Sequence, residues 1–433
     1  MKVLVIGGGG REHALCWKLR RSPEVEELYC APGNPGIAAV ADRVPIAADD
    51  VHELADFAAE LHVDLTVVGP ELPLTLGLAD EFRRRGLAVF GPSARAAEIE
   101  GSKVFAKQFM ERHGIPTAQA EIVHDADAGR AAAKRFGFPV VVKVDGLAAG
   151  KGVMIAADRE ELDQALTTVF EERRFGAGGD RALIEEYLDG EEVSFIALSD
   201  GERMLPLATS KDYKRIGDGD TGPNTGGMGC HSPSGVMGSG EAAAILDSVL
   251  RPAVDGLAAE GRPYVGFLYA GIILTADGPR VLEFNARLGD PEAQALLLRL
   301  EDDLAPLLAA GAGGEFPTRR LAFRKEAAAC IVLANQGYPG KPVQGELIEG
   351  LDAAARLEGV EIFHAGTAER DGRIVASGGR VLGVCALGPR LVDALRRAYA
   401  AAAEIQWPSK VLRRDIGRRV LERETEGSSS ETS

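Results

Sequence analysis

The chain has no Cys-x-x-Cys pair. Its five cysteines, Cys16, Cys30, Cys230, Cys330 and Cys385, are scattered and odd in number. That pattern argues against a disulfide framework or a structural zinc site, and the reducing cytoplasm is the expected compartment. Long apolar runs are missing too: none approaches the roughly 20 residues of a membrane span. The opening stretch Lys2 to Ile6 is too short for a signal-peptide core and runs straight into glycines. No membrane partner is expected. Positive charge is short, with 49 Lys and Arg against 65 Asp and Glu, a net charge of −16. A chain this acidic is a poor coat for nucleic acid, so no such partner is expected. It can still bind a small phosphate, which needs only a local site.

What is present is globular: 45% hydrophobic and 26% charged residues over 433 positions, enough for about three domains. In the first hundred residues short apolar runs alternate with amphipathic helices. Strands are expected at 3–6, 25–30, 65–68 and 89, and helices at 11–21, 52–61 and 76–85. This alternation predicts a parallel sheet wrapped on both faces. A helix is expected over 102–113 with Ser102 as its cap. Strands at 139–144 and 152–155 flank a glycine loop, and another strand covers 183–186. A long Gly/Asp/Asn-rich excursion runs from Thr209 to Ser234. Several strands and a helix over 391–405 follow Lys325. The expected fold class is α/β in several domains. The expected boundaries are 1–101, 102–324 with a lid unit at about 122–190, and 325–426. The tail 427–433 is expected to be disordered.

Gly7-Gly-Gly-Gly10-Arg-Glu-His13 ends the first strand and opens a helix. Small residues let backbone N–H groups approach an anion, and a helix N-terminus favours negative charge. The dinucleotide spacing G-x-G-x-x-G/A fails, because its sixth position is Glu12 or His13. A nicotinamide cofactor is disfavoured; a phosphate or polar substrate is expected instead. Pro32-Gly-Asn-Pro-Gly36 and Gly69-Pro-Glu-Leu-Pro73 end strands on the same sheet edge, so Asn34 and Glu71 can reach the same ligand.

Val140-Val-Val-Lys143 puts a lysine in an apolar strand, which is costly unless it meets an anion. Asp145-Gly-Leu-Ala-Ala-Gly-Lys-Gly152 follows, and its N–H groups can fold over phosphates. It is not a P-loop: three residues separate Gly146 from Gly150, and Gly152 replaces the hydroxyl residue. The segment is expected to be mobile until a nucleotide orders it. Leu183-Ile-Glu-Glu-Tyr-Leu188 offers backbone groups to an adenine edge, and Glu192 suits ribose hydroxyls; a solvated acidic turn fits the same residues. In Val281-Leu-Glu-Phe-Asn285, Glu283 and Asn285 share one strand face, with Arg287 following. Such oxygens suit Mg2+, and a divalent cation is expected to offset burial of the carboxylate.

In this order the segments resemble the ATP-grasp superfamily, and most closely its glycinamide ribonucleotide synthetase family. The resemblance rests on 5–14, 32–36, 143–153, Gly219-Asp-Thr-Gly-Pro-Asn-Thr-Gly-Gly-Met-Gly229, Gly266-Phe-Leu-Tyr-Ala-Gly271 and Arg287-Leu-Gly-Asp-Pro-Glu292. Residues 378–382 and 414–417 extend it to nearly the full length. It implies a Rossmann-like N-terminal domain, a two-part ATP-grasp region and a small mixed α/β C-terminal domain. It implies a carbon–nitrogen ligase of purine biosynthesis, with ATP as co-substrate and Mg2+ or Mn2+. ATP would phosphorylate the glycine carboxylate, and the amine of 5-phosphoribosylamine would displace phosphate from glycyl phosphate.

By resemblance, Lys103 and Lys143 contact ATP phosphates under a lid that includes Gly150, Lys151 and Gly152. Glu185, Glu186, Tyr187 and Leu188 border the adenine, and Glu192 the ribose. Glu283 and Asn285 hold the metal. Arg287 and Lys143 are the catalytic candidates. Gly9, Gly10, Glu12, Asn34, Glu71, Asp212, Lys214, Asn224, Thr225 and Arg287 face the small-molecule substrates. A monomer or weak homodimer is expected. A carboxylating ATP-grasp enzyme would share the nucleotide segments; the loops 219–229 and 287–292 favour the glycine ligase. A non-catalytic nucleotide sensor would be expected to lack Lys143, Glu283 or Asn285. The stretch 266–274 carries no second acidic metal ligand.

Overall fold

The computed structural model describes residues 1–147 and 152–423. The expectations for Gly150, Lys151, the centre of the lid and the tail 427–433 lie outside those residues.

The first sheet is parallel, in the order Asp42–Arg43, Glu27–Pro32, Lys2–Gly7, Leu65–Val68, Val89–Phe90. Its central strand is apolar throughout because both faces are covered. Val3 and Val5 join one core with Leu15 and Leu19, while Leu4 and Ile6 join another with Leu54 and Phe82. Strand order reverses beside Lys2–Gly7, which opens a crevice at the carboxyl edge. The segments 7–10, 33–36 and 69–71 all leave from that edge. The helix expected over 76–85 runs Leu78–Arg84, and a short helix outside that span, Glu71–Thr75, precedes it. Gly77 divides them at φ +87°, a left-handed turn that a side chain would strain.

An antiparallel sheet follows, in the order Ala120–Val123, Ala182–Glu186, Val140–Val144, Val153–Ala156. A second orders Met204–Pro206, Glu191–Asp200, Val265–Thr275 and Gly278–Asn285. The Gly/Asp/Asn-rich excursion is not a free loop. Its Lys211–Asp212 and Gly229–Ser232 pair into the sheet built on Ala327–Asn335, Arg380–Gly388 and Val360–His364. The last sheet thus borrows two strands from mid-chain.

His231 sits in that join, fully buried. Its Nδ1 donates to the Pro233 carbonyl at 2.9 Å, so Nε2 accepts from the Tyr213 hydroxyl at 3.2 Å. Burial pushes its pKa down to about 4, against the Pro233 carbonyl and with help from Lys211. An unfolded histidine protonates near 6.5. Stability carried by neutral His231 is therefore complete above that value and is lost as the pH falls towards about 4. Between about pH 7 and pH 4, wild type should lose about 3 kcal/mol more than His231→Gln in chemical denaturation. Parallel curves for the two proteins would show that the imidazole is not held neutral.

Candidate active site

The two antiparallel sheets, the carboxyl edge of the first sheet and the excursion enclose a cleft of about 860 Å3. Every described sequence candidate from Glu71 onward lines it. Gly9, Gly10, Glu12 and Asn34 do not.

Lys103 begins the helix Lys103–Arg112, and Ser102 caps it, accepting from the Phe105 N–H at 3.0 Å. Lys103 Nζ donates to the Gly146 carbonyl at 3.0 Å. Lys143 Nζ reaches Glu185 Oε2 at 2.8 Å. Sequence reasoning misses Lys107, which holds the other Glu185 oxygen at 3.1 Å. The signal was its spacing, one helical turn after Lys103 on the same face. The strand ladder ends at Glu186, so the 187–188 backbone runs past it along the cleft wall. Leu147, Ile155 and Tyr187 are exposed there and offer an apolar surface to a flat base.

Glu283 and Asn285 share one face of Gly278–Asn285, as strand alternation requires. Glu283 Oε1 is 3.4 Å from Lys214 Nζ, which is also 3.4 Å from Glu192 Oε2. Lys214 above all, then Lys143 and Lys103, hold the Glu283 carboxyl down to about 2 against burial. The sequence points only to a divalent cation as the offset for that carboxylate; the structure adds these lysines. The oxygens still suit a hard cation. Among the described residues no group of three His, Cys, Asp or Glu forms a metal cage. Glu283 and Asn285 would hold such a cation.

The strand ends at Asn285, yet Arg287 turns into the cleft. Its guanidinium meets Glu71 at 3.3 Å, Glu100 at 3.1 Å and Asn285 Oδ1 at 3.2 Å. Burial lifts the Glu100 carboxyl to about 7, even with Arg287 beside it. Nothing in the sequence marked Glu100.

Burial first, then Glu292, drives the Asp212 carboxyl well above its ordinary value, against Lys214 and Arg380. Glu292 accepts from Ser194 Oγ at 2.8 Å. Gly227 packs on Asp212 at φ +113°, and a Cβ there would come within 2.6 Å of Oδ1. Two C-terminal residues fix this loop. Arg380 donates to the Gly226 carbonyl at 2.6 Å, and the Tyr338 hydroxyl accepts from the Gly226 N–H at 2.9 Å. Thr225 Oγ1 donates to the Lys214 carbonyl at 2.8 Å, tying the two halves of the excursion.

At the glycine run, Glu12 Oε2 accepts from the Gly9 N–H at 2.6 Å and Oε1 from Arg11 Nε at 2.6 Å. Asp290 faces the same helix end: Cβ atoms at Gly9 and Gly10 would lie 3.6 and 3.7 Å from its oxygens. Two carboxylates of the chain, Glu12 and Asp290, thus stand at that N-terminus, where the helix dipole favours negative charge. Asn34 Nδ2 donates to the carbonyls of Gly8 at 2.9 Å and His364 at 2.8 Å, while its Oδ1 accepts from the Ile37 N–H at 3.1 Å. Glu12 and Asn34 shape the loop behind the cleft.

Three family models match most of the chain. Residues 1–100 match the N domain of phosphoribosylglycinamide synthetase, 101–293 its ATP-grasp (A) domain, and 328–419 its C domain. The phosphoribosylamine–glycine ligase of Brucella melitensis is 49% identical over 424 residues, 98% of this chain and 99% of that protein. The crystal structure of phosphoribosylamine–glycine ligase from Thermotoga maritima is similar at a TM-score of 0.83 and 34% identity, over 96% of this chain and 100% of that one. The biotin carboxylase domain of Hydrogenobacter thermophilus 2-oxoglutarate carboxylase, solved with MgADP and bicarbonate, shares the fold alone. Its TM-score is 0.74 at 18% identity, over 95% of this chain and 91% of that one.

The role of Glu12 can be tested directly. Glu12→Ala leaves the Gly9 N–H and the Arg11 guanidinium without this partner in a site only 2% exposed. Denaturation should show a loss of about 2–3 kcal/mol, with ligand affinity of the folded protein little changed. Weakened ligand affinity at unchanged stability would make Glu12 a substrate contact.

Proposed function

The chain belongs to the phosphoribosylglycinamide synthetase family, and we propose that its cleft joins glycine to 5-phosphoribosylamine through glycyl phosphate. It is an ATP-dependent carbon–nitrogen ligase. One observation carries the assignment of its residues. Lys103, Lys143, Lys214 and Arg287 all bear on Glu283, beside an apolar wall fit for a base.

In this reading the adenine lies along the 186–188 backbone, and Glu192 takes the ribose. Lys103 and Lys143 hold the phosphates. Glu283 and Asn285 would hold Mg2+ or Mn2+, which would supply charge neutralisation for the phosphoryl group. The Arg287 fork matches a planar carboxylate, so it orients the glycine carboxylate and then steadies the acyl phosphate. To do so it exchanges Glu71 or Glu100 for the substrate. Asp212 and Glu292 receive the glycine ammonium, which relieves the repulsion between two enclosed carboxylates. Gly227 keeps that place small. Phosphoribosylamine enters from the sheet edge, past Glu71, Asn224 and Thr225. Glycyl phosphate survives there because the closed cleft keeps water away until the amine attacks.

The proposed organisation is 1–101, 102–324 and 325–426. The proposed assembly is a monomer or weak homodimer that acts on small molecules. The proposed compartment is the cytoplasm. All five cysteines are free, and no helix among the described residues is long and apolar enough to cross a membrane.

ADP release should require glycine and freshly made phosphoribosylamine together. Better turnover with bicarbonate or D-alanine than with glycine would overturn the assignment. Glu283→Gln should lower kcat by on the order of a hundredfold and weaken the apparent affinity for Mg2+ in parallel. Near wild-type kcat with the same Mg2+ dependence would place the metal elsewhere.

A further inference from the structure

Two lysines share one carboxylate inside the cleft wall. Lys107 Nζ lies 3.1 Å from Glu185 Oε1, and Lys143 Nζ lies 2.8 Å from Glu185 Oε2. Their exposures are 3%, 7% and 2% for Lys107, Lys143 and Glu185. At such burial each hydrogen needs a partner.

An ammonium group has three hydrogens to donate. Lys107 places the other two on Thr117 Oγ1 at 2.8 Å and the Ala118 carbonyl at 2.9 Å. Its donors are all committed to protein. Lys143 has two partners among the described residues, Glu185 and the Leu282 carbonyl at 2.8 Å. Its third donor remains for the cleft that it lines. The two lysines therefore differ in kind: one is anchored, the other is available.

Charge separates them in the same way. Lys143 with Glu185 alone is a neutral pair, a weak magnet for phosphate. Adding Lys107 makes two ammoniums against one carboxylate, a net charge of +1. The surplus is expressed at Lys143, the member with a free donor. The anchor is also tied to the metal-bearing strand, since Thr117 Oγ1 donates to the Val281 carbonyl at 2.7 Å.

We propose that Lys107 is a positioning residue for the nucleotide, holding Glu185 so that Lys143 keeps both its charge and one donor for the ATP phosphates. The proposal rests on the reading of Lys143 as a phosphate contact. Lys107 acts through Glu185 and leaves glycine recognition alone.

The experiment is steady-state kinetics of Lys107→Gln, Lys107→Met, Lys107→Arg and Lys143→Met, with KM read separately for ATP and glycine. Lys107→Gln keeps a donor for Thr117 or Ala118 and removes the charge. It should raise KM for ATP on the order of tenfold and leave KM for glycine unchanged. Lys107→Met should do the same, so either neutral variant suffices if the other fails to fold. Lys107→Arg retains the charge and should stay within about threefold of wild type. Adding Glu185→Gln to Lys107→Gln should recover part of the lost ATP affinity, because the carboxylate that captures Lys143 is gone. A purely structural lysine predicts neither the split between the two KM values nor that recovery. If Lys143→Met leaves KM for ATP unchanged, the phosphate reading of Lys143 falls and takes this proposal with it. If Lys143→Met raises KM for ATP while the neutral Lys107 variants move both KM values equally, or neither, the proposal alone is overturned. Additive loss in the double variant overturns it too.

Discussion

Several carboxylates of the cleft are answered by a cation from another part of the chain, because an enclosed charge left alone is costly. Glu283 is answered by Lys214 of the excursion. Glu71, beyond the first sheet, and Glu100 are answered by Arg287. Glu185 is answered by Lys107 and Lys143, and Asp290 by Arg380. None of these pairs is local in sequence. Charge balance in the cleft and the docking of its walls are therefore one requirement. A wall that moved away would strand a charge, which costs far more than a surface ion pair gains.

The pairs are of two kinds, and the difference bears on chemistry. Arg11 with Glu12 at 2.6 Å and Lys143 with Glu185 at 2.8 Å are short and deeply buried. Arg287 with Glu71 at 3.3 Å and Lys214 with Glu283 at 3.4 Å are longer and line the open space. A substrate carboxylate or phosphate can replace the protein partner in the longer pairs. The cation then never goes unpaired, so the full desolvation penalty is not incurred again. Glu100, with its carboxyl near 7, is the partner most easily given up, since protonation removes its claim on Arg287.

Much of this was legible because it is written in short-range pattern. The run Leu65–Val68 reads as a buried strand and is one. Ser102 reads as a cap because its oxygen serves a backbone N–H three residues on. Glu283 and Asn285 read as a pair because strands alternate. What was not legible has one cause, a partner distant in sequence. No local rule says that Asp290 will face the glycine run. The excursion reads as a loop because the strand it joins, Ala327–Asn335, lies about a hundred residues further on. The start at Gly77 is the exception: one glycine in a helical pattern is usually tolerated, and here it turns the chain before Leu78–Arg84 begins.

That borrowed pairing gives the C-terminal region a place at the cleft. Lys211–Asp212 is a strand of the last sheet, and Lys214 stands two residues beyond it. The sheet therefore sets where Asp212 and Lys214 enter the cleft. Arg413, 1% exposed, locks the turn that follows, with Asp220 and Asp415 each at 2.8 Å. The Gly417 N–H donates to the Tyr213 hydroxyl at 2.9 Å, between Asp212 and Lys214 in the chain. Arg380 and Tyr338 hold Gly226 from the other side. Residues 414–417 and 378–382 fix the backbone that presents Asp212, Lys214 and Gly227. Lys143 and Glu185 enter the cleft from one of the two antiparallel sheets, but Asp212, Lys214 and Gly227 enter it only where the last sheet places them.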